Sequence, residues 1–122
     1  MMLADSNLII YAASGNYPDL MDWFAKYKPA VSAISLVETL GYHELQEKDK
    51  RFLEDFFSAL IVYYPNPEIF QTAIDLRQQH SMSLGDALIA ATALHHGLTL
   101  ATHNTKDFEW IKSLELIDQL DE

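Results

Sequence analysis

SLGDALIAATALHHGLTLATHNTKDF, residues 83–108, reads as helix, turn, strand, turn. After Asp86 the chain is almost wholly apolar from Ala87 to Leu94, which predicts a helix buried on most of its surface. Gly97 ends that helix, as a residue tolerant of positive φ does. Leu98–Ala101 is short and apolar, the pattern of a buried strand. Asn104 to Asp107 starts another helical turn. Two acids, Asp86 and Asp107, therefore sit at helix starts on either side of one strand.

The rest of the chain repeats this alternation. Met2 to Asp5 predicts a short strand, followed by a helix over Leu8–Ala13 that Gly15-Asn16 breaks. Pro18 suits the first turn of the next helix. There Leu20, Trp23, Phe24 and Tyr27 recur at i, i+3, i+4 and i+7, one apolar face. Pro29 stops it, and Ala30–Ser32 is a second strand. Ser35-Leu-Val-Glu38 has capping-box spacing and opens a third helix, with Leu36, Val37, Leu40 and Gly41 on its packing face. Gly41 in a helix predicts a close helix contact. Glu44 to Arg51 is a mixed-charge, solvated junction, and Phe52, Leu53, Phe56, Phe57 and Leu60 continue at helical spacing. Leu60–Tyr64 is the strongest strand signal, closed by Pro65. Pro67 begins another helix with Ile69, Phe70, Ala73, Ile74 and Leu76 inward. Leu114–Ile117 gives a last edge strand. Short apolar strands alternating with helices, without hairpin signals, predict a parallel sheet covered on both faces.

The length of 122 residues allows one core and one domain, residues 1–122. Half the residues are apolar, and no run approaches a membrane span. No leader pattern precedes the first strand, so a cytoplasmic chain is expected. Cysteine is absent, which excludes disulfides and thiolate metal sites. The net charge is −10, from 18 acids against 8 Lys and Arg. That opposes non-specific nucleic-acid binding and suits a cation site or a basic partner. The five histidines lack zinc spacing, and no Gly-rich phosphate loop or nucleophile elbow occurs. The aromatic residues Trp23, Phe24, Phe52, Phe56 and Phe57 have core periodicity, suited to packing or a dimer surface.

Asp5, Glu38, Asp86 and Asp107 are the acids that matter. Each has a plain reading as a helix cap, worth about 0.3–1 kcal/mol from the helix dipole. Together they are predicted at helix starts along one edge of one sheet, where α/β folds place their sites. Carboxylates clustered there repel one another unless some are protonated or a cation joins them. Hard oxygen ligands suit Mg²⁺ or Mn²⁺.

The same stretches resemble the PIN domain, the ribonuclease fold of VapC-type toxins. Asp5-Ser-Asn7 resembles the opening motif of that family. SLGDALIAATAL resembles its late helix, and Thr102-His-Asn104-Thr-Lys-Asp107-Phe108 its closing motif. The likeness covers essentially the whole chain and is more specific in the second half. His103 stands where arginine is common in the family. The resemblance implies a PIN-like three-layer α/β/α fold with a short central parallel sheet of four to five strands. It implies metal-dependent endonucleolytic cleavage of RNA, with one or two Mg²⁺ or Mn²⁺ ions activating a water for in-line attack.

By the same resemblance Asp5 and Asp86 are the indispensable ligands. Glu38 binds directly or through water, and Asp107 completes the site. Ser6, Thr102 and Asn104 orient ligands or waters. Lys106, and Lys48 with Arg51, are the sparse candidates for RNA phosphate contact. The plainer reading of Lys48, Lys50 and Arg51 is surface salt bridging with Glu44, Glu47 and Asp49. Implied partners are a VapB-type antitoxin with a basic C-terminal arm and a second copy of the chain. The rival reading keeps the fold and loses the chemistry: a catalytically inert PIN-like RNA- or protein-binding module.

Overall fold

The strands predicted from sequence are only a few residues long, so the sheet depends on register and on the helices laid over it. A computed structural model, describing residues 1–119, places β1 (Met2–Ala4), β2 (Ala30–Ser32), β3 (Val62–Tyr63), β4 (Thr99–Ala101) and β5 (Leu116–Ile117) in one sheet of order β3-β2-β1-β4-β5. Every pairing is parallel; Leu3 sits opposite Ala30 on one side and Leu100 on the other. The helices are α1 (Ser6–Ala13), α2 (Pro18–Tyr27), α3 (Ala33–Leu40), α4 (Glu47–Ser58), α5 (Pro67–Gln79) and α6 (Leu84–His96), with a 3₁₀ turn at Thr105–Asp107.

Alternation along the strands divides the interior. Leu3, Ala30 and Leu100 face a core shared with α5 and α6, whereas Ala4, Val31 and Ala101 face one shared with α1, α2 and α4. Burying a Leu, Ile, Val or Phe side chain contributes roughly 1.5–3 kcal/mol, and both layers are rich in them. Ala87 to Ala93 are all buried, because α6 lies between α5 and the sheet and its alanines permit close approach. Gly97 caps α6 at φ 64°, and its N–H meets the Ala93 and Leu94 carbonyls. The three-layer α/β/α arrangement is the expected one. Among the described residues no helix is long and apolar enough to cross a membrane.

Several local expectations are corrected. Helix α1 begins at Ser6 rather than Leu8, with Asp5 as its cap. Helix α3 begins at Ala33 and is capped by Ser32, whose Oγ accepts the Ile34 N–H, rather than by Ser35. Glu38 therefore lies in the second turn, not at a helix start. Gly41 caps the end of α3, and an added Cβ would meet the Val37 carbonyl of the same helix, so no close contact with another helix explains it. Leu60–Tyr64 contributes only Val62–Tyr63: the end of α4 takes Leu60, whose N–H reaches the Phe57 carbonyl, and β3 is an edge strand. Strand β5 is likewise shorter than Leu114–Ile117, because Leu114 turns into the core.

Trp23, Phe24 and Phe57 are core, as their spacing predicts, but Tyr27, Val37, Phe70 and Ile74 are exposed. Tyr27 ends α2, just before Lys28 in the left-handed region, and Phe70 and Ile74 form an outward i, i+4 stripe on α5.

The chain runs outward from β1 to β2 and β3, then crosses back to β4 on the other side of β1. The direction of winding reverses between β1 and β4. Helices on either side of that reversal diverge and leave a crevice at the carboxyl ends of the strands.

Candidate active site

Asp5 sits at that reversal. Its N–H still belongs to the ladder, donating to the Ala101 carbonyl of β4 at 2.9 Å. Its side chain is 3% exposed, and both oxygens are engaged. Oδ1 accepts the Ser6 N–H at 2.8 Å, and Oδ2 accepts the Thr102 hydroxyl at 2.7 Å. Thr102, fully buried, follows β4, and its Oγ1 also accepts the Asn104 N–H at 3.0 Å. Two adjacent strand ends are thus hooked together through one carboxylate.

A second set of bonds links this floor to α3. The Ser6 hydroxyl lies 2.7 Å from Glu38 Oε1 and 2.7 Å from Ser35 Oγ. A carboxylate only accepts, so Ser6 donates to Glu38 and Ser35 donates to Ser6. Ser35 is fully buried. Helix α6 closes over the same carboxylate: a Cβ on Gly85 would stand 2.6 Å from Glu38 Oε2. Asp86 follows in the first turn of α6, its N–H on Ser83 Oγ at 3.0 Å. Asp107 is exposed at the last position of the 3₁₀ turn, its N–H on the Asn104 carbonyl at 3.1 Å.

The charges interact. Burial pushes the Asp5 carboxyl up to about 6 against the Thr102 hydrogen bond, the charge of Asp86 raises it further, the Ser6 N–H opposes, and Glu38 adds a smaller push. Burial also raises Asp86, followed by the charge of Asp107; the Ser83 contact opposes and Glu38 adds. The four acids form one electrostatic unit spanning four segments of chain.

They do not form a finished cage. Among the described residues no three His, Cys, Asp or Glu side chains stand close enough to hold an ion as they are. The donors are nevertheless all carboxylate oxygens with a surplus of negative charge, which fits a hard divalent cation in chemistry. Closing on one would take movement of Glu38 and Asp107, both exposed.

Of the helix starts expected for the acids, Asp5 and Asp86 have them, Asp107 lies in the first turn of the 3₁₀ segment, and Glu38 sits a turn into α3. Ser6 and Thr102 bond the acids directly. Asn104 takes part through its backbone. Lys106 is exposed beside Asp107. Lys48 lines a hollow of about 520 Å³ whose edge includes Glu38. Arg51 pairs with Glu47 at 3.8 Å on an exposed helix face, which is the salt-bridge reading of that cluster.

Ser35 and Gly85 are the site residues that sequence reasoning missed. The spacing of Ser35 and Glu38 suggested a cap, yet the same spacing puts them on one helix face. Gly85, inside a first helical turn where nothing demands glycine, signalled a close neighbour.

The fold and this crevice define the class. The PIN domain family model matches residues 2–113, and the chain belongs to that family. It is similar to the Ribonuclease VapC1 of Rickettsia felis, 28% identical over 127 aligned positions that cover 95% of this chain and 94% of that one. Among solved structures it resembles a toxin-antitoxin complex from Klebsiella pneumoniae (TM-score 0.79, 28% identity, 96% of each chain covered). It also resembles VapBC2 from Rickettsia felis bound to promoter DNA (TM-score 0.80, 25% identity, covering 96% of this chain and 97% of that one).

Proposed function

We propose that this chain is the endoribonuclease toxin of a type II toxin–antitoxin pair, cleaving RNA with the help of Mg²⁺ or Mn²⁺. One observation carries the reading: the buried Asp5 carboxylate at the β1/β4 reversal, coupled in charge to Glu38 and Asp86 within a PIN fold. The similarity to Ribonuclease VapC1 and to toxin–antitoxin complexes over nearly the whole chain supports it.

Asp5, Glu38, Asp86 and Asp107 would hold the cation. When bound, it supplies an acidified water and offsets charge on the scissile phosphate. The protein does the rest. Thr102 and the Ser6 N–H fix both Asp5 oxygens, so that this ligand cannot swing away. The Ser35–Ser6–Glu38 relay holds Glu38 beside it, and Ser83 steadies the start of α6 under Asp86. Such supporting contacts typically change metal affinity or activity by about 10–100-fold.

The same surplus of negative charge suits an antitoxin with a basic arm laid over the crevice. The outward stripe of Phe70 and Ile74, with Leu84 nearby in the same hollow, supplies apolar surface for a homodimer. The cytoplasm, where RNA and antitoxin are made, is the place such a pair would work.

The test is cleavage of structured and unstructured RNAs with Mg²⁺, Mn²⁺ or EDTA, by wild type, Asp5→Asn and Asp86→Asn. Cleavage that needs metal and is lost in both variants is the expected result. Equal cleavage by all three, or RNA binding without cleavage, would reject the enzyme in favour of contamination or an inert module.

A further inference from the structure

The chain has little positive charge with which to hold RNA. Its 8 Lys and Arg face 18 acids, and phosphate affinity depends on such cations. Arg51 is already paired with Glu47. Affinity for a single strand then has to draw on its bases, and stacking on side-chain rings is the sequence-tolerant way to do so.

Ring surface is what the fold provides on one flank of the crevice. His103 follows Thr102, whose hydroxyl holds Asp5. The His103 ring meets Tyr11 edge-on, centroids 6.0 Å apart at 77°. Tyr11 in turn meets Tyr17 at 5.3 Å and 53°. The segment after β4, the second turn of α1 and the cap of α2 thus contribute one ring each to a row. The middle ring packs partly against the core, while the outer two are open: Tyr17 is 40% exposed and the His103 side chain 43%. His103 is also held from behind. Its Nδ1 lies 3.1 and 3.2 Å from the two Asp118 carboxylate oxygens, so Nδ1–H donates to them and the ring orientation is set. Rings fixed before binding lose little freedom when a base arrives.

We propose that Tyr17 and His103, braced by Tyr11 between them, form a stacking strip for unpaired bases of single-stranded RNA beside the acidic crevice. This rests on the ribonuclease reading above and adds where the substrate lies. It also assigns His103, which stands where arginine is common in the family, to base contact.

The test uses the full chain in EDTA, so that nothing is cut, and fluorescence anisotropy with three probes. These are a short single-stranded RNA, the same RNA with abasic positions, and its duplex. The expected result is preference for the single strand, with Tyr17→Ala and His103→Ala each weakening it roughly tenfold and Tyr17→Phe, which keeps the ring, binding like wild type. Abasic RNA should bind wild type more weakly yet lose nothing further in Tyr17→Ala. Unchanged binding in both alanine variants, equal binding of the abasic probe, or no binding at all would overturn the strip. So would loss of antitoxin binding with RNA binding unchanged, since the rings would then be a protein-docking surface. Metal-dependent cleavage by the same wild-type preparation separates the two readings. Cleavage with an inert strip removes only this inference, whereas ring-dependent binding without cleavage removes only the enzyme.

Discussion

The floor and the rim of the crevice carry the same chemical groups in opposite circumstances. Asp5, on the floor, is buried, with one oxygen on a backbone N–H and the other on a buried threonine. Glu38 and Asp107, on the rim, are exposed; among the described residues Glu38 is held by a serine relay, and Gly85 leaves room for it. A carboxylate fixed by the backbone is placed before any ligand arrives and bears the desolvation cost. A carboxylate on the rim avoids that cost and can adjust. The floor should therefore dominate chemistry and pH behaviour, and the rim should tune ligand affinity with little effect on folding.

The largest expected contrast comes from Asp5→Asn. Cleavage should fall to background, yet the metal-free protein should become more stable at neutral pH. Asp5 has a folded value of about 6 against an ordinary 3.8, so the folded state holds its proton more tightly. Its charge costs nothing below about pH 4, costs more as pH rises through 6, and reaches about 3 kcal/mol by pH 7. Melting in EDTA should show Asp5→Asn ahead of wild type at pH 7 to 8, with the advantage gone near pH 4. A variant less stable than wild type across that range would mean that the floor is a structural cap and bears no charge cost.

Thr102→Val tests the floor from the other side. It removes the hydroxyl that stabilises ionised Asp5 and leaves the Asn104 N–H without its acceptor, costing about 1–3 kcal/mol of stability. Cleavage should drop roughly 10–100-fold, measured at saturating metal.

Gly85→Ala probes the rim. The added methyl displaces only the tip of the Glu38 side chain, so the melting temperature should barely move. The metal concentration needed for half-maximal cleavage should rise several-fold. A large loss of stability would show that the rim is as rigid as the floor.

Arg51→Ala should do least. An exposed i, i+4 pair contributes about 0.3–0.5 kcal/mol, and melting and RNA binding should both stay near wild type.

The same contrast explains what could be read from the sequence. Asp5 is legible because an apolar strand, the acid and a helix follow one another directly in the chain, and Asp86 because it opens a long apolar helix. Ser83 and Gly97 mark the ends of α6 by local rules that the tertiary structure leaves intact. Glu38 is legible as a residue but not in its position: Ser32 and Ser35 can both cap a helix, and only the length of β2 decides between them. The relay from Ser35 through Ser6 joins residues 29 apart, and the lock of Gly85 on Glu38 depends on where α6 lands against α3. Leu60–Tyr64 overstated its strand because propensity does not know that β3 lies at an edge, or that α4 runs on to claim Leu60. Phe70 and Ile74 share helical spacing with the buried face of α5, and the placement of α6 alone turns them outward.

Calorimetric titration of Mn²⁺ into wild type, Asp5→Asn and Asp86→Asn near pH 6, in buffers of different ionisation enthalpy, shows whether carboxylates from separate segments share one divalent ion. Wild type should bind saturably with release of protons, since burial holds the Asp5 carboxyl up at about 6, and both variants should bind much more weakly. No saturable binding by wild type, or equal binding by all three proteins, would contradict a shared ion.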